Sequence, residues 1–386
     1  MKAWMRSFAS EAVTQGHPDK IADQVADSIL DAILAQDPDG RAGIEVLVNS
    51  NYIDVSGEIR TTARIDTSEI VKQLLRTIGY TRAELGFISN QISVITTMRQ
   101  QSLEISEVVE NQNSDKMGAS DQGIFIGYAT SETPQLMPVP VIIANDLVRQ
   151  LDTVRNNNIL KYLRPDGKSL VTVCYQSHKP IKIDSIVVAA QHDPEIDVTQ
   201  VREDIKKHVI GQVETFGLLT DDTRIIINHL GRFVVGGPII DTGITGRKIL
   251  SDTYGGIEAV VGGVLSGKDP TKLDRTATYF ARYVAKNIVA AGLASRCLVQ
   301  IVYAFGVVDP ISLEIECYGT EQVDKRKIIK AVKEIFDFRP SCMINTLDLK
   351  RPLYTATARY GHFGRTDCQF SWEKTDNIKS LKLLVE

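Results

Sequence analysis

Apolar residues return at four-residue steps after His17-Pro18-Asp19, at Ile21, Val25, Ile29 and Ile33, and this spacing predicts a helix. Pro18 suits its first position, where the missing amide would go unbonded anyway, and Asp37-Pro38-Asp39-Gly40 ends it. Two apolar, β-branched stretches follow, Ile44 to Val48 and Tyr52 to Val55 continuing into Ile59 to Ile65. The turn-like Asn49-Ser50-Asn51 between them predicts a hairpin, and a second helix is expected from about Ser68 to Ile78.

The same order returns with a helix through Ile143, Leu147 and Leu151, a strand pair (Leu170 to Tyr175, Ile181 to Ala190) and a helix from about Thr199 to Val213. A third round follows: helix Pro270 to Ala291, strands Leu298 to Phe305 and Ile311 to Cys317, helix Asp324 to Phe336. The first helices begin at roughly 18, 139 and 270, a period of about 120 to 130 residues that is far longer than a solenoid repeat. The pattern therefore predicts an α+β fold of three similar domains, each layering a sheet against helices and related by a pseudo-threefold repeat. The polar run Glu104 to Ser114 and the Gly/Pro-rich Gly236-Gly237-Pro238 set the expected boundaries, giving segments 1–104, 118–235 and 236–386.

Composition narrows the function classes. In a chain of 386 residues with 43% apolar and 24% charged residues, disorder is excluded and several domains are expected. The 44 basic residues are matched by 48 acidic ones, for a net charge of -4, which argues against nucleic acid or an anionic membrane as partner. Five scattered cysteines without a C-x-x-C pair indicate neither a disulfide framework nor zinc, and fit a reducing cytoplasm. The N-terminus has no apolar signal region, and no run of about 18 apolar residues occurs anywhere.

Candidate chemistry begins with the stretch Gly262 to Arg275. Asp269 can cap a helix that Pro270 opens, and Lys268 and Lys272 crowd the positive end of that helix. Cations there cost about 0.3–1 kcal/mol each unless an anion lies between them, so a phosphate ligand is the economical explanation. The spacing also matches the G-x-x-x-x-G-K of a phosphate-binding loop, which keeps a phosphotransferase open as a second reading, although Asp269 replaces the magnesium-binding Ser/Thr. At the first helix, His17 and Lys20 offer donors to phosphate and Asp19 offers magnesium a hard oxygen. Asp23, Asp27 and Asp31, each four residues on, read as a solvated face. Asp166-Gly167-Lys168 and Asp241 to Lys248 place carboxylates beside cations in glycine-containing loops. His17, Lys20, Lys168, Arg247, Lys248, Lys268 and Lys272 together suit a triphosphate. No Ser/His/Asp set, H-E-x-x-H or dinucleotide glycine motif is present, so acyl and hydride transfer are not expected.

From Ala9-Ser10-Glu11 through Gly16-His17-Pro18-Asp19-Lys20 the chain resembles bacterial S-adenosylmethionine synthetases (methionine adenosyltransferases). The likeness continues through Gly118-Ala119-Ser120-Asp121-Gln122-Gly123, Arg164 to Ser169, Gly231 to Pro238, Gly243 to Lys248, Ser266 to Arg275 and Tyr360 to Arg365. The resemblance implies three α+β domains and a homodimer or homotetramer with active sites between subunits. ATP would meet His17, Asp166, Gly167, Lys168, Arg232, Phe233, Asp241, Arg247, Lys248, Val264 and Lys268. L-Methionine would meet Glu58, Gln101, Asp241 and Lys272; two Mg2+ ions per site would be served by Asp19 and Asp274, and K+ by Glu45. His17, Lys168, Arg247, Lys268 and Asp121 would carry catalysis, and the segment from Gln101 to about Asn111 would gate the site.

Some positions depart from the family pattern. Ser120 stands for a glycine, Val260-Val261 for His-Gly, Val264-Leu265 for Ala-Phe and Phe305 for isoleucine. A glycine of positive φ would be strained as Ser120 by roughly 1 kcal/mol, and Val264 and Phe305 would add bulk at the nucleoside site, with altered substrate selectivity as the expected result. A non-catalytic, nucleotide-binding regulatory paralogue is the alternative that these departures leave open.

Overall fold

The computed structural model describes residues 5–100, 117–257 and 263–386. Along the chain, β1 (Met5–Val13) precedes a first unit of α1 (Pro18–Leu34), β2 (Arg41–Val48), β3 (Tyr52–Arg60) and α2 (Thr67–Ile78). After β4 (Ser93–Gln100) and β5 (Gly123–Thr130) comes a second unit, α3 (Val139–Asn156), β6 (Leu163–Gln176), β7 (Lys179–His192) and α4 (Val198–His208). The strands β8 (Arg224–Ile227) and β9 (Gly243–Ile244) and a short α5 (Ile249–Asp252) lead to the third, α6 (Leu273–Ala290), β10 (Arg296–Tyr303), β11 (Ser312–Glu316) and α7 (Lys325–Ile335). Two further helices, α8 (Pro340–Thr346) and α9 (Ile378–Val385), follow. The helix–hairpin–helix order expected from periodicity is thus present three times.

The sheets are ordered β1-β6-β7-β8, β11-β10-β5 and β4-β3-β2-β9. β1, from before the first unit, joins the sheet of the second; β5, from before the second, joins the sheet of the third; and β9, from before the third, joins the sheet of the first. This ring of exchanged strands brings remote motifs together. Antiparallel pairing of β1 with β6 runs from Met5↔Gln176 to Val13↔Lys168, and so delivers the turn before α1 to Asp166-Gly167-Lys168. Thr14 fastens that junction, its N–H donating to the Gly167 carbonyl at 2.9 Å and its hydroxyl to Pro165 O at 2.7 Å.

Three local expectations need correction. The Asp166-Gly167-Lys168 cluster lies within β6, next to an irregularity in the β6–β7 register, and not in a loop. The third helix opens at Leu273, three residues after Pro270, because Asp269 turns the chain first: its carboxylate accepts Ala42 N–H at 2.9 Å and Thr271 N–H at 2.8 Å. Asp23 and Asp27 are no solvated face, since both are buried along with most of α1.

Each of these acids instead fastens α1 to another segment. Asp23 accepts Gly246 N–H (2.9 Å) and Lys20 Nζ (3.0 Å), and Lys20 also donates to Asp252 at 2.7 Å. Asp27 takes a bidentate bond from Arg275 at 2.8 and 2.7 Å and accepts Gly267 N–H at 2.8 Å. Asp31, half-buried, accepts the amides of Tyr354 and Thr355, both at 2.8 Å. Buried charge is tolerable only when paired and hydrogen-bonded in this way.

One apolar core lies under β1-β6-β7-β8, packed by α3 and α4, and a larger one joins the other two sheets through α1 and α6. Where α6 crosses β5, Gly127 permits the approach: a Cβ there would stand 2.0 Å from the Ala281 carbonyl carbon and 2.1 Å from Arg282 N. Gly127→Val is therefore expected to destabilise the fold by about 1–3 kcal/mol, read as a lower urea midpoint. Among the described residues no helix is long and apolar enough to cross a membrane.

Candidate active site

The first group of functional side chains surrounds the start of α1. His17 is its N-cap, with extended backbone (φ -66, ψ 140), and its Nδ1 accepts Asp19 N–H at 3.2 Å. Asp19 is buried, with one oxygen on Lys248 Nζ at 2.7 Å and the other accepting Ile244 N–H at 3.1 Å, while Arg247 Nη1 lies 3.4 Å away. Asp166 accepts Gly237 N–H at 2.8 Å, and burial pushes its carboxyl up to about 6, helped by the charge of Asp241. The Phe233 ring and an Asp166 oxygen both border Gly236. Lys168 reaches Glu11 at 2.5 Å, and 45% of its side chain is exposed, as is 42% of that of Arg247.

Burial lowers the His17 pKa to about 4; Asp19 pulls it up and Lys248 pushes it further down. Its imidazole is neutral at pH 7, and with Nδ1 accepting, Nε2 carries the proton and is a donor. The consequence for stability has a definite sign. An unfolded histidine at about 6.5 binds a proton before the folded one does, so stability is full above that pH and is lost as pH falls toward about 4. His17→Asn is expected to flatten the acid limb of a plot of urea midpoint against pH in this window.

A second group gathers between β2, β3 and the start of α6. Lys268 is paired with Asp274, and Lys272 donates to Glu58 at 3.3 Å. Glu45 reaches the surface from β2, and the protein around it raises its carboxyl despite the pull of Lys268. The Lys268 loop is held by backbone: Ile44 N–H donates to Gly267 O at 3.0 Å. Gly246 has φ +79, and a Cβ there would fall 2.4 Å from Val264, so Val264 packs on the loop that carries Arg247 and Lys248. The ion pairs Lys248–Asp19, Lys268–Asp274 and Lys272–Glu58 each stay within one group.

Asp121 is exposed and accepts Gln122 N–H at 2.8 Å; Asp241 is exposed and accepts Thr242 N–H at 2.8 Å, near enough to His17 and Asp166 to raise both. The Arg232 guanidinium rests on Pro194 O. Phe305 is 45% exposed just after β10. Ser120 does not have a positive φ, so the strain expected of it is absent. Gln101, the 101–111 segment, Val260 and Val261 lie outside the described residues. The phosphate-loop spacing lacks its helix, since α6 begins five residues after Lys268.

No three acidic, histidine or cysteine side chains converge on one metal position among the described residues. Asp19 and Asp274 nevertheless fit magnesium by donor chemistry. This ion takes hard oxygens, often from one or two carboxylates, and draws its other ligands from water and phosphate.

Family models for the N-terminal, central and C-terminal domains of S-adenosylmethionine synthetase match residues 5–103, 116–233 and 235–374. The chain is 49% identical over 384 residues to the S-adenosylmethionine synthase of Desulforudis audaxviator (strain MP104C), covering 97% of each protein. It is 49% identical over 391 residues to that of Petrotoga mobilis (strain DSM 10674 / SJ95), covering 97% of this chain and 98% of the other. The S-adenosylmethionine synthase of Pseudothermotoga lettingae is 48% identical over 389 residues, covering 98% of both.

Proposed function

The chain belongs to the S-adenosylmethionine synthetase family and is an S-adenosylmethionine-forming enzyme, and from that premise we propose that its two groups of side chains bind ATP and L-methionine and move the adenosyl group from one to the other. The observation that carries this reading is an alternation of charge: Lys168 with Glu11, Lys248 with Asp19, Lys268 with Asp274 and Lys272 with Glu58. A magnesium polyphosphate has the complementary alternation, with phosphates for the lysines and metal for the carboxylates.

The reaction asks little proton chemistry of the protein. A thioether sulfur has no proton to lose, so its lone pair forms the S–C5′ bond as the C5′–O bond breaks, and that electron pair leaves with the triphosphate. Alignment and stabilisation of the leaving group then supply the rate. Lys168, Arg247, Lys248 and Lys268 hold the polyphosphate oxygens, and neutral His17 donates its Nε2 proton as a hydrogen bond without releasing it. Asp166, Gly167, Arg232, Phe233, Asp241 and Val264 would bound the nucleotide, and Glu58, Gln101, Asp241 and Lys272 the amino acid. Asp19 and Asp274 would hold magnesium, which would supply charge neutralisation to the departing polyphosphate. Glu45 would hold potassium, and Asp121 or Asp241 would balance the sulfonium product.

The two groups are proposed to meet across a subunit interface, each protomer of a homodimer or homotetramer giving one group to each site. Hydrolysis of the triphosphate to pyrophosphate and phosphate by the same cations completes the cycle. Five free cysteines agree with a cytoplasmic setting. The test resolves products by mass spectrometry and phosphorus NMR. Methionine-dependent S-adenosylmethionine with equal pyrophosphate and phosphate is expected; ADP, or bound ATP with no adenosyl product, would overturn the reading.

A further inference from the structure

We propose that Ser120 is a positioning residue that ties the loop carrying Asp121 to the start of α6, and through it sets Lys272 for methionine binding. The proposal rests on the function proposed above. Three observations lead to it. First, α6 lacks a cap of its own: Lys272 is the N-cap residue, and its side chain makes no capping bond. The opening amides of a helix have no intrahelical acceptor and need one from elsewhere. Second, Ser120 Oγ accepts Leu273 N–H at 3.3 Å, so the acceptor comes from a segment 153 residues away. Third, that segment is itself anchored. Ala119 N–H donates to Val307 O and Gly306 N–H to Ala119 O, both at 2.8 Å, and a Cβ on Gly118 would stand 2.5 Å from Gly306 O.

The hydroxyl therefore bridges a fixed loop and the first turn of the helix that presents Lys272 to Glu58 and Asp274 to Lys268. A glycine at 120 would leave the Leu273 amide to water. Serine instead fixes the helix end relative to Asp121, and the bonded amide directly follows Lys272, the residue assigned to the amino-acid substrate. The effect should fall on methionine more than on ATP, most of whose assigned contacts gather at the start of α1.

The experiment compares Ser120→Ala, Ser120→Gly and Ser120→Thr in the full-length enzyme. Both hydroxyl-free variants are expected to raise the KM for methionine about five- to tenfold, the range of one lost hydrogen bond, with the KM for ATP and the kcat within about twofold. Ser120→Thr should restore the methionine KM, and all three should melt within a few degrees of wild type. An unchanged methionine KM, or both KM values rising together with a fall in Tm and no rescue by threonine, would overturn the proposal. Amide hydrogen exchange separates this result from the function itself. If wild type makes no S-adenosylmethionine, the functional reading has failed, and the link is still decided at Leu273: exchange about fivefold faster in Ser120→Ala supports it, and an unchanged rate refutes it.

Discussion

Arg275→Ala is expected to destabilise the folded protein by about 3–5 kcal/mol, because it removes the partner of a carboxylate that has no access to water. Arg275 and Asp27 are both fully buried, and their bidentate contact joins α6 to α1 in the middle of the larger core. Burial pushes the Asp27 carboxyl up, and Arg275 is the largest influence holding it down. The guanidinium also donates to Lys268 O at 3.1 Å and lies over the Tyr354 ring at 4.3 Å, so its loss strips a cation–π contact as well. The double variant Arg275→Met with Asp27→Leu should recover a large part of the loss, since two apolar side chains leave no orphaned charge. Urea unfolding of wild type, single and double variants checks this. A single variant as stable as the double would mean that Asp27 finds another partner.

Lys168→Ala is expected to lower kcat about 10²- to 10³-fold, the scale for removing one preorganised donor from a developing negative charge. Its structural cost should be small. Lys168 is 45% exposed and its partner Glu11 is 32% exposed, a setting where ion pairs contribute little to stability. The fall should therefore appear with an unchanged melting temperature and a smaller change in the KM for methionine. Steady-state rates at saturating substrates, with a thermal melt of the same samples, make the measurement. An undiminished kcat would place Lys168 outside the polyphosphate site.

Much of this arrangement is legible in the sequence. Periodicity located the helices because apolar spacing reports which residues share a face, and Ile21, Val25, Ile29 and Ile33 do lie buried on α1. The same spacing does not say that a second layer covers the acidic side of α1, and so Asp23 and Asp27 read as solvated although both are buried. One signal was available. Acids at four-residue steps repel one another, and α1 has only Lys20 among them, so partners from other segments were needed. Long-range pairing was invisible for a different reason: nothing local in Met5–Val13 announces that it will lie along Leu163–Gln176. Gly167 suggested a loop although it serves a strand irregularity, and Pro270 suggested a helix start although Asp269 bonds Ala42 and Thr271 first. The charged motifs were identified more securely than their grouping, because convergence at α1 depends on the β1–β6 register.

Displacement at C5′ is decided by the fate of one oxygen. ATP carrying 18O at the ribose 5′ position is incubated with methionine and magnesium, and the label is followed by mass spectrometry. Attack by sulfur breaks the C5′–O bond, so all of the label is expected to leave with the polyphosphate products and none to remain with the adenosyl group. Label retained on the nucleoside, in ADP or AMP, would show cleavage at phosphorus and contradict it.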